Sequence, residues 1–152
     1  MKHVKPAIAA AVMAAVASSV VLAHDGATGI VMQRMEAMKE VSQSMKAVAA
    51  MVKGEKPFDG VAVEAAAGVI AGHAKHMPDM FPEGSLDKPT EALPAIWTQW
   101  DRFTELSGRL HTDALALAEA GKVATSAKDI LPQLGAVGKS CKGCHQDFRL
   151  AK

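Results

Sequence analysis

Cys141 and Cys144 stand three residues apart, and His145 follows directly. Residues three apart on a helix share a face, so both thiols point the same way and the imidazole lies within a turn of each. Two such thiols can add to the two vinyl groups on one edge of a porphyrin. The adjacent histidine nitrogen can then reach the iron from below. Cys-x-x-Cys-His is the attachment signature of a c-type haem, with thioethers at Cys141 and Cys144 and His145 as the proximal axial iron ligand. Other chemistries use parts of this pattern. A Cys-x-x-Cys pair serves thioredoxin-like redox reactions, but in a βαβ context that this sequence lacks. It also makes half of a zinc site, yet the chain has only two cysteines, and nothing in the spacing brings His73 and His76 to them. A disulfide between cysteines three apart on a helix closes poorly.

The elements that must carry this motif read as helices. The chain has 152 residues, 49% of them hydrophobic and 22% charged, which suits one domain with a sizeable core. Aromatic residues are 4% and tyrosine is absent. Alanine and methionine abound and strand-like alternation is scarce, which argues against a sandwich or barrel. A net charge of +1 excludes nucleic-acid binding driven by bulk charge.

Residues 1–23 read as a cleaved secretory signal peptide, brief in the bacterial manner. Lys2 and Lys5 open it, an apolar run follows from Ala7, and Val21 and Ala23 fit the small-residue rule before cleavage. The rival reading is an uncleaved anchor, but the run is Ala-rich and short for a span. The working domain is then 24–152, which holds no membrane-spanning segment, and its expected location is the bacterial periplasm.

Four amphipathic stretches follow. In the first, about Gly29 to Val52, Val31, Met38, Met45 and Val52 recur every seven residues, with Val41 and Val48 three after the two methionines. That is the core seam of a bundle helix, stopped by Gly54. The second starts at Asp59 as N-cap and runs to about His76, with an apolar face of Val61, Ala65, Val69 and Ile70. Pro78 ends it. A proline-rich loop from Pro78 to Pro94 is long for a bundle connection, and such loops often cover a site. The third stretch runs from about Ala92 to Glu119, carries Ile96, Trp100, Phe103, Leu106, Leu110, Ala114 and Leu117 on one side, and is closed by Gly121. The fourth opens between Ser126 and Asp129, tolerates Pro132 in its first turn, and runs to about Leu150. Its stripe is Ile130, Leu134, Val137, Cys141, Cys144, His145 and Phe148. The expected fold is all-α, an antiparallel four-helix bundle with covalent haem on the last helix.

A haem motif near the C-terminus of such a bundle resembles the class II c-type cytochromes, the family of cytochrome c′ and its low-spin, six-coordinate relatives. The cytochrome c′ bundle is itself a standard example of this architecture. The resemblance spans 29–152. Phe81-Pro82, Ile96-Trp97, Val137-Gly138 and Arg149 support it. In that family the first helix covers the second axial side of the haem, with an arginine four residues before the distal position. The resemblance therefore implies one covalently bound haem c, Arg34 at a haem propionate and Met38 as the distal axial iron ligand. It also implies Trp97 and Phe81 packing on the haem and Arg149 near it. Members resembling cytochrome c′ itself place a non-ligating hydrophobe where Met38 stands and keep a five-coordinate iron. The low-spin members place a methionine.

The residues permit plainer readings. Methionine is ordinary core filler, and Met35 and Met45 compete as ligands on the same helix. Arg34 falls on the apolar stripe, where a guanidinium needs an anionic partner or must snorkel to water. Arg149 also suits a solvated helix C-terminus. His73, His76, Met77 and Met80 together have the composition of a copper site, or of a helix end in water. No residue offers itself as catalytic acid, base or nucleophile, so the expected role is an electron carrier rather than an enzyme. The alternative is a five-coordinate cytochrome c′ that binds nitric oxide or carbon monoxide. The expected partners are redox proteins in weak, transient contact. The resemblance also allows a homodimer through the first two helices.

Overall fold

The structure is a computed structural model, and it describes residues 26–151. The leader expected over 1–23 lies outside the described residues. Five α-helices follow in order: α1 (Gly29–Val52), α2 (Gly60–His76), a short α3 (Ala95–Thr98), α4 (Trp100–Val123) and α5 (Leu131–Phe148). The four long ones form an antiparallel four-helix bundle. α1 packs on α2, α2 on α4, and α4 on α5, whereas α1 has no comparable seam with α4 or α5. No helix among the described residues is long and apolar enough to cross a membrane.

The first helix matches its heptad pattern. Val31, Val41 and Val48 are buried along it, and Arg34 is buried with them. Gly54 ends it at a φ of 74°, a left-handed conformation that costs glycine little. Asp59 caps α2 as its position implies, accepting from Val61 N at 2.9 Å and Ala62 N at 3.1 Å.

The buried face of α2 is not the expected one. Val61 is 74% exposed and Val69 40% exposed, and Ala65 is exposed as well. Of the expected face only Ile70 is buried, and the core takes Val63, Ala67, Ala71 and Ala74 with it. Most positions of this helix are apolar or small, so its periodicity offers several faces. The partner helix selects among them. α4 lies so close that a Cβ on Gly121 would fall 2.9 Å from both Glu64 N and Gly60 O. A Cβ on Gly60 would meet Gly121 O at 2.4 Å. Gly121 thus serves helix contact rather than helix termination, and α4 continues to Val123.

The third stretch is two helices rather than one. The chain turns at Gln99, where φ is −127° and ψ 42°, and α3 begins only at Ala95. Residues 91–93 pair with the C-terminus instead of joining the helix. Leu93 N donates to Phe148 O at 3.0 Å and Leu150 N to Glu91 O at 2.8 Å, with an isolated antiparallel bridge between Ala92 and Arg149. A 3₁₀ turn, Ala127–Ile130, opens the last segment under a Ser126–Asp129 capping box, and Pro132 lies in the first turn of α5.

The core has two parts. The larger joins all four long helices through residues such as Val48, Ile70, Leu117 and Val137. The smaller sits beneath the proline-rich loop and holds Met77, Ile96, Phe103, Leu106 and Phe148, with Phe81, Trp97 and Cys144 packed against it.

Candidate haem site

α5 carries the two thiols to the boundary between the two core clusters. Cys141 packs against the larger cluster and Cys144 against the smaller. Both are free thiols and half-buried. One residue earlier, buried Ser140 donates to Asp113 and ties this turn of α5 to α4. Burial pushes both thiols up, and Cys144 reaches about 11, with Cys141 and Asp147 adding to the effect. A thioredoxin-like pair needs one thiol lowered towards neutrality. Neither cysteine has that character, so the redox-pair reading does not fit.

His145 is exposed, one residue beyond Cys144. Partial shielding by the surrounding chain lowers its pKa, Arg149 lowers it further, and Glu91 opposes them. The ring is therefore neutral at pH 7, the form that offers a lone pair to a metal.

The residues expected on the other side of the haem lie on α1. Met38 is half-buried and packs against both core clusters, whereas Met45 reaches only the larger. One turn earlier, Arg34 is 5% exposed, so it does not snorkel to water. Its Nη1 donates to Ser85 Oγ at 3.3 Å and its Nη2 to the Ser85 carbonyl. The guanidinium lies 4.5 Å over the Phe81 ring, a cation–π contact. Burial lowers the Arg34 pKa, and Asp87 opposes this. Its Nε is buried and has no hydrogen-bond partner. Such an orphaned donor costs free energy until an acceptor arrives.

Aromatic rings gather at the same end. Trp97 Nε1 donates to the Phe81 carbonyl at 2.9 Å. Phe103 is the hub, with ring centroids 4.9 Å from Phe81, 5.4 Å from Phe148 and 5.5 Å from Trp100. Phe81 and Trp97 thus meet at this end of the bundle. Phe103, Leu106 and Phe148 read in the sequence only as core stripe residues, and Ser85 and Glu91 gave no signal there. Arg149 is not free in solvent at the helix end. Its Nε donates to Glu91 Oε2 at 2.8 Å.

The copper alternative separates into local contacts. His73 pairs with Glu40 at 2.7 Å and His76 with Asp79 at 3.3 Å, while Met77 and Met80 belong to the smaller core cluster. Among the described residues, no group of three or more His, Cys, Asp or Glu side chains converges to hold a metal ion, which leaves the zinc reading without a second half.

Residues 29–149 match the family model described as Cytochrome C′. The chain belongs to the cytochrome c′ family. It is 41% identical over 126 residues to cytochrome c-556 of Agrobacterium fabrum, covering 83% of this chain and 84% of that protein. It is 36% identical over 126 residues to cytochrome c′ of Rhodopseudomonas palustris, covering 82% and 84%. The solved structure of cytochrome c′ from Rhodopseudomonas palustris superposes with a TM-score of 0.75 at 34% identity, covering 83% of this chain and 99% of that one. A structural model of oxidized cytochrome c556 from the same organism gives 0.70 at 26%, covering 81% and 97%.

A cytochrome c′ carries one covalently attached haem c, and the donor set found here fits it. Two protonated thiols share a face of α5, a neutral imidazole follows them, and a thioether lies across on α1. The unpaired Arg34 Nε suits a propionate oxygen.

Proposed function

We propose that this cytochrome c′ family member is a periplasmic single-electron carrier whose haem iron is held between His145 and Met38. When bound, the haem supplies exchange between ferric and ferrous iron, and a thioether ligand favours the ferrous form. Cys141 and Cys144 hold it through thioethers. His145 gives its neutral nitrogen to the proximal side. Met38 would give its sulfur from the other side, and an iron held by both residues would rearrange little when its charge changes. Arg34 turns its free Nε to a propionate, with Arg149 near the proximal side. Phe81 and Trp97 pack on the haem and exclude water.

The observation that carries this reading is Met38 itself, a soft ligand where the two core clusters meet, one turn beyond a buried arginine with an unsatisfied donor. The leader at 1–23 would send the 24–152 domain to the periplasm, where it meets redox proteins in brief contacts. The exposed Val61 and Val69 on α2 offer an apolar face for self-association.

Optical and electron-paramagnetic spectra of the holoprotein, in both oxidation states and with carbon monoxide, test the proposal. A low-spin ferric signal, a sulfur-to-iron charge-transfer band and no carbon monoxide binding are expected. A high-spin signal with ready carbon monoxide binding would overturn it in favour of a gas-binding, five-coordinate cytochrome c′.

A further inference from the structure

The proximal side carries an acid–base pair that the haem motif does not include. Arg149 follows the last residue of α5, and its backbone N donates to His145 O at 3.3 Å. Its guanidinium is held by Glu91 through Nε at 2.8 Å and through Nη2. Glu91 comes from the proline-rich loop, 58 residues away in sequence. Its position is fixed by main chain as well as side chain. Leu150 N donates to Glu91 O, Leu93 N donates to Phe148 O, and Ala92 bridges Arg149. These contacts are stricter than those of an ordinary surface pair, in which two long side chains search for each other.

We propose that Glu91 is a positioning residue for electron transfer. It holds Arg149 and cancels that positive charge beside the proximal ligand, and so sets the reduction potential. This rests on His145 ligating the haem iron. The physical basis is that oxidation adds one positive charge at the iron. A nearby carboxylate stabilises the oxidised form and a nearby guanidinium the reduced form. The paired groups nearly cancel, whereas either alone does not. Both side chains are partly exposed, at 41% and 38%, so salt screens whatever field remains.

The test is a set of potentials measured on holoprotein. Glu91→Gln should raise the potential, because it leaves Arg149 uncompensated. Arg149→Gln should lower it. The double variant should return close to the parent, and Glu91→Asp should keep most of the parental value. Each single-variant shift should shrink as salt rises. Loosening of the fold alone would move both single variants the same way, and that result would overturn the proposal, as would potentials that do not move. If a single variant loses its haem, the exchanged pair Glu91→Arg with Arg149→Glu preserves the contact. The exchanged charges still cancel, so its potential should stay close to the parent, and a shift as large as that of a single variant would overturn the proposal equally. The optical spectrum keeps the two readings apart. A high-spin parent refutes ligation by Met38 but leaves the opposite shifts expected, whereas a low-spin parent with same-sign shifts refutes only the role of Glu91.

Discussion

Replacing Gly121 by alanine should destabilise the protein, although alanine is the better helix former. The gain from helix propensity is about 1 kcal/mol. Against it stands the contact between α2 and α4. The added methyl would lie 2.9 Å from Glu64 N, 2.9 Å from Gly60 O and 3.1 Å from Val63 Cγ1. Two of these atoms are backbone, so no side chain can rotate away and the helices must part. Overpacking a well-filled core costs roughly 1–3 kcal/mol, and a clash with backbone belongs near the upper end. The net loss is then about 1–2 kcal/mol. At roughly 4 °C per kcal/mol for a domain of this size, the midpoint should fall by about 4–8 °C. Gly108 provides the control within the same helix, because a Cβ there has nothing within 4 Å. Gly108→Ala should keep the propensity gain and raise the midpoint by about 2–4 °C. Circular-dichroism melts of the two holoproteins, with urea titrations to confirm an unchanged slope, give the comparison. A Gly121→Ala protein as stable as Gly108→Ala would refute the claim that the two glycines set the approach of α2 and α4.

Met38→Ala should turn a low-spin spectrum high-spin and lower the reduction potential, and an unchanged spectrum would remove Met38 as the ligand. Arg34→Leu should leave the haem attached and lower the potential by removing a positive charge from a propionate; an unchanged potential would confine Arg34 to its contacts with Ser85 and Phe81. Before haem attachment, the chain should lose stability as pH rises from about 9 towards about 11. Folding raises the Cys144 pKa to about 11 from its ordinary 9.0, so the folded state favours the neutral thiol and ionisation favours unfolding. Urea midpoints of the haem-free chain across that range should fall, and Cys144→Ala should flatten the dependence; equal slopes in both proteins would contradict it.

Much of this architecture is legible in the residues because the signals are local. The seven-residue repeat of α1, the Asp59 cap, and the shared face of Cys141 and Cys144 each depend on neighbours within a turn or two. The face of α2 is not legible in the same way. Val61, Ala65 and Val69 form as good a stripe as the buried set, and only the glycine contact with α4 decides between them. Arg34 shows the same limit at the site. Its place on an apolar stripe announces a partner, but its contact with Ser85 spans 51 residues. Glu91 and Arg149 meet across 58. Gln99 interrupts a stretch whose apolar spacing continues on both sides, so periodicity alone reads it as one helix.

The unequal seams of the bundle also set how it comes apart. α2, α4 and α5 form a continuous block, while α1 rests mainly on α2, with ties such as Glu40–His73 and Arg34–Ser85 at its edges. Elements with the fewest neighbours open first and carry a local free energy below that of global unfolding. In native-state hydrogen exchange of the haem-free chain, the amides of α1 should therefore form a separate, earlier-opening unit. Met38 rides on that unit and His145 does not. Before haem attachment, access to the cleft beside α1 is then governed by the detachment energy of one helix, which surface substitutions along the α1–α2 seam can tune without touching either proposed ligand.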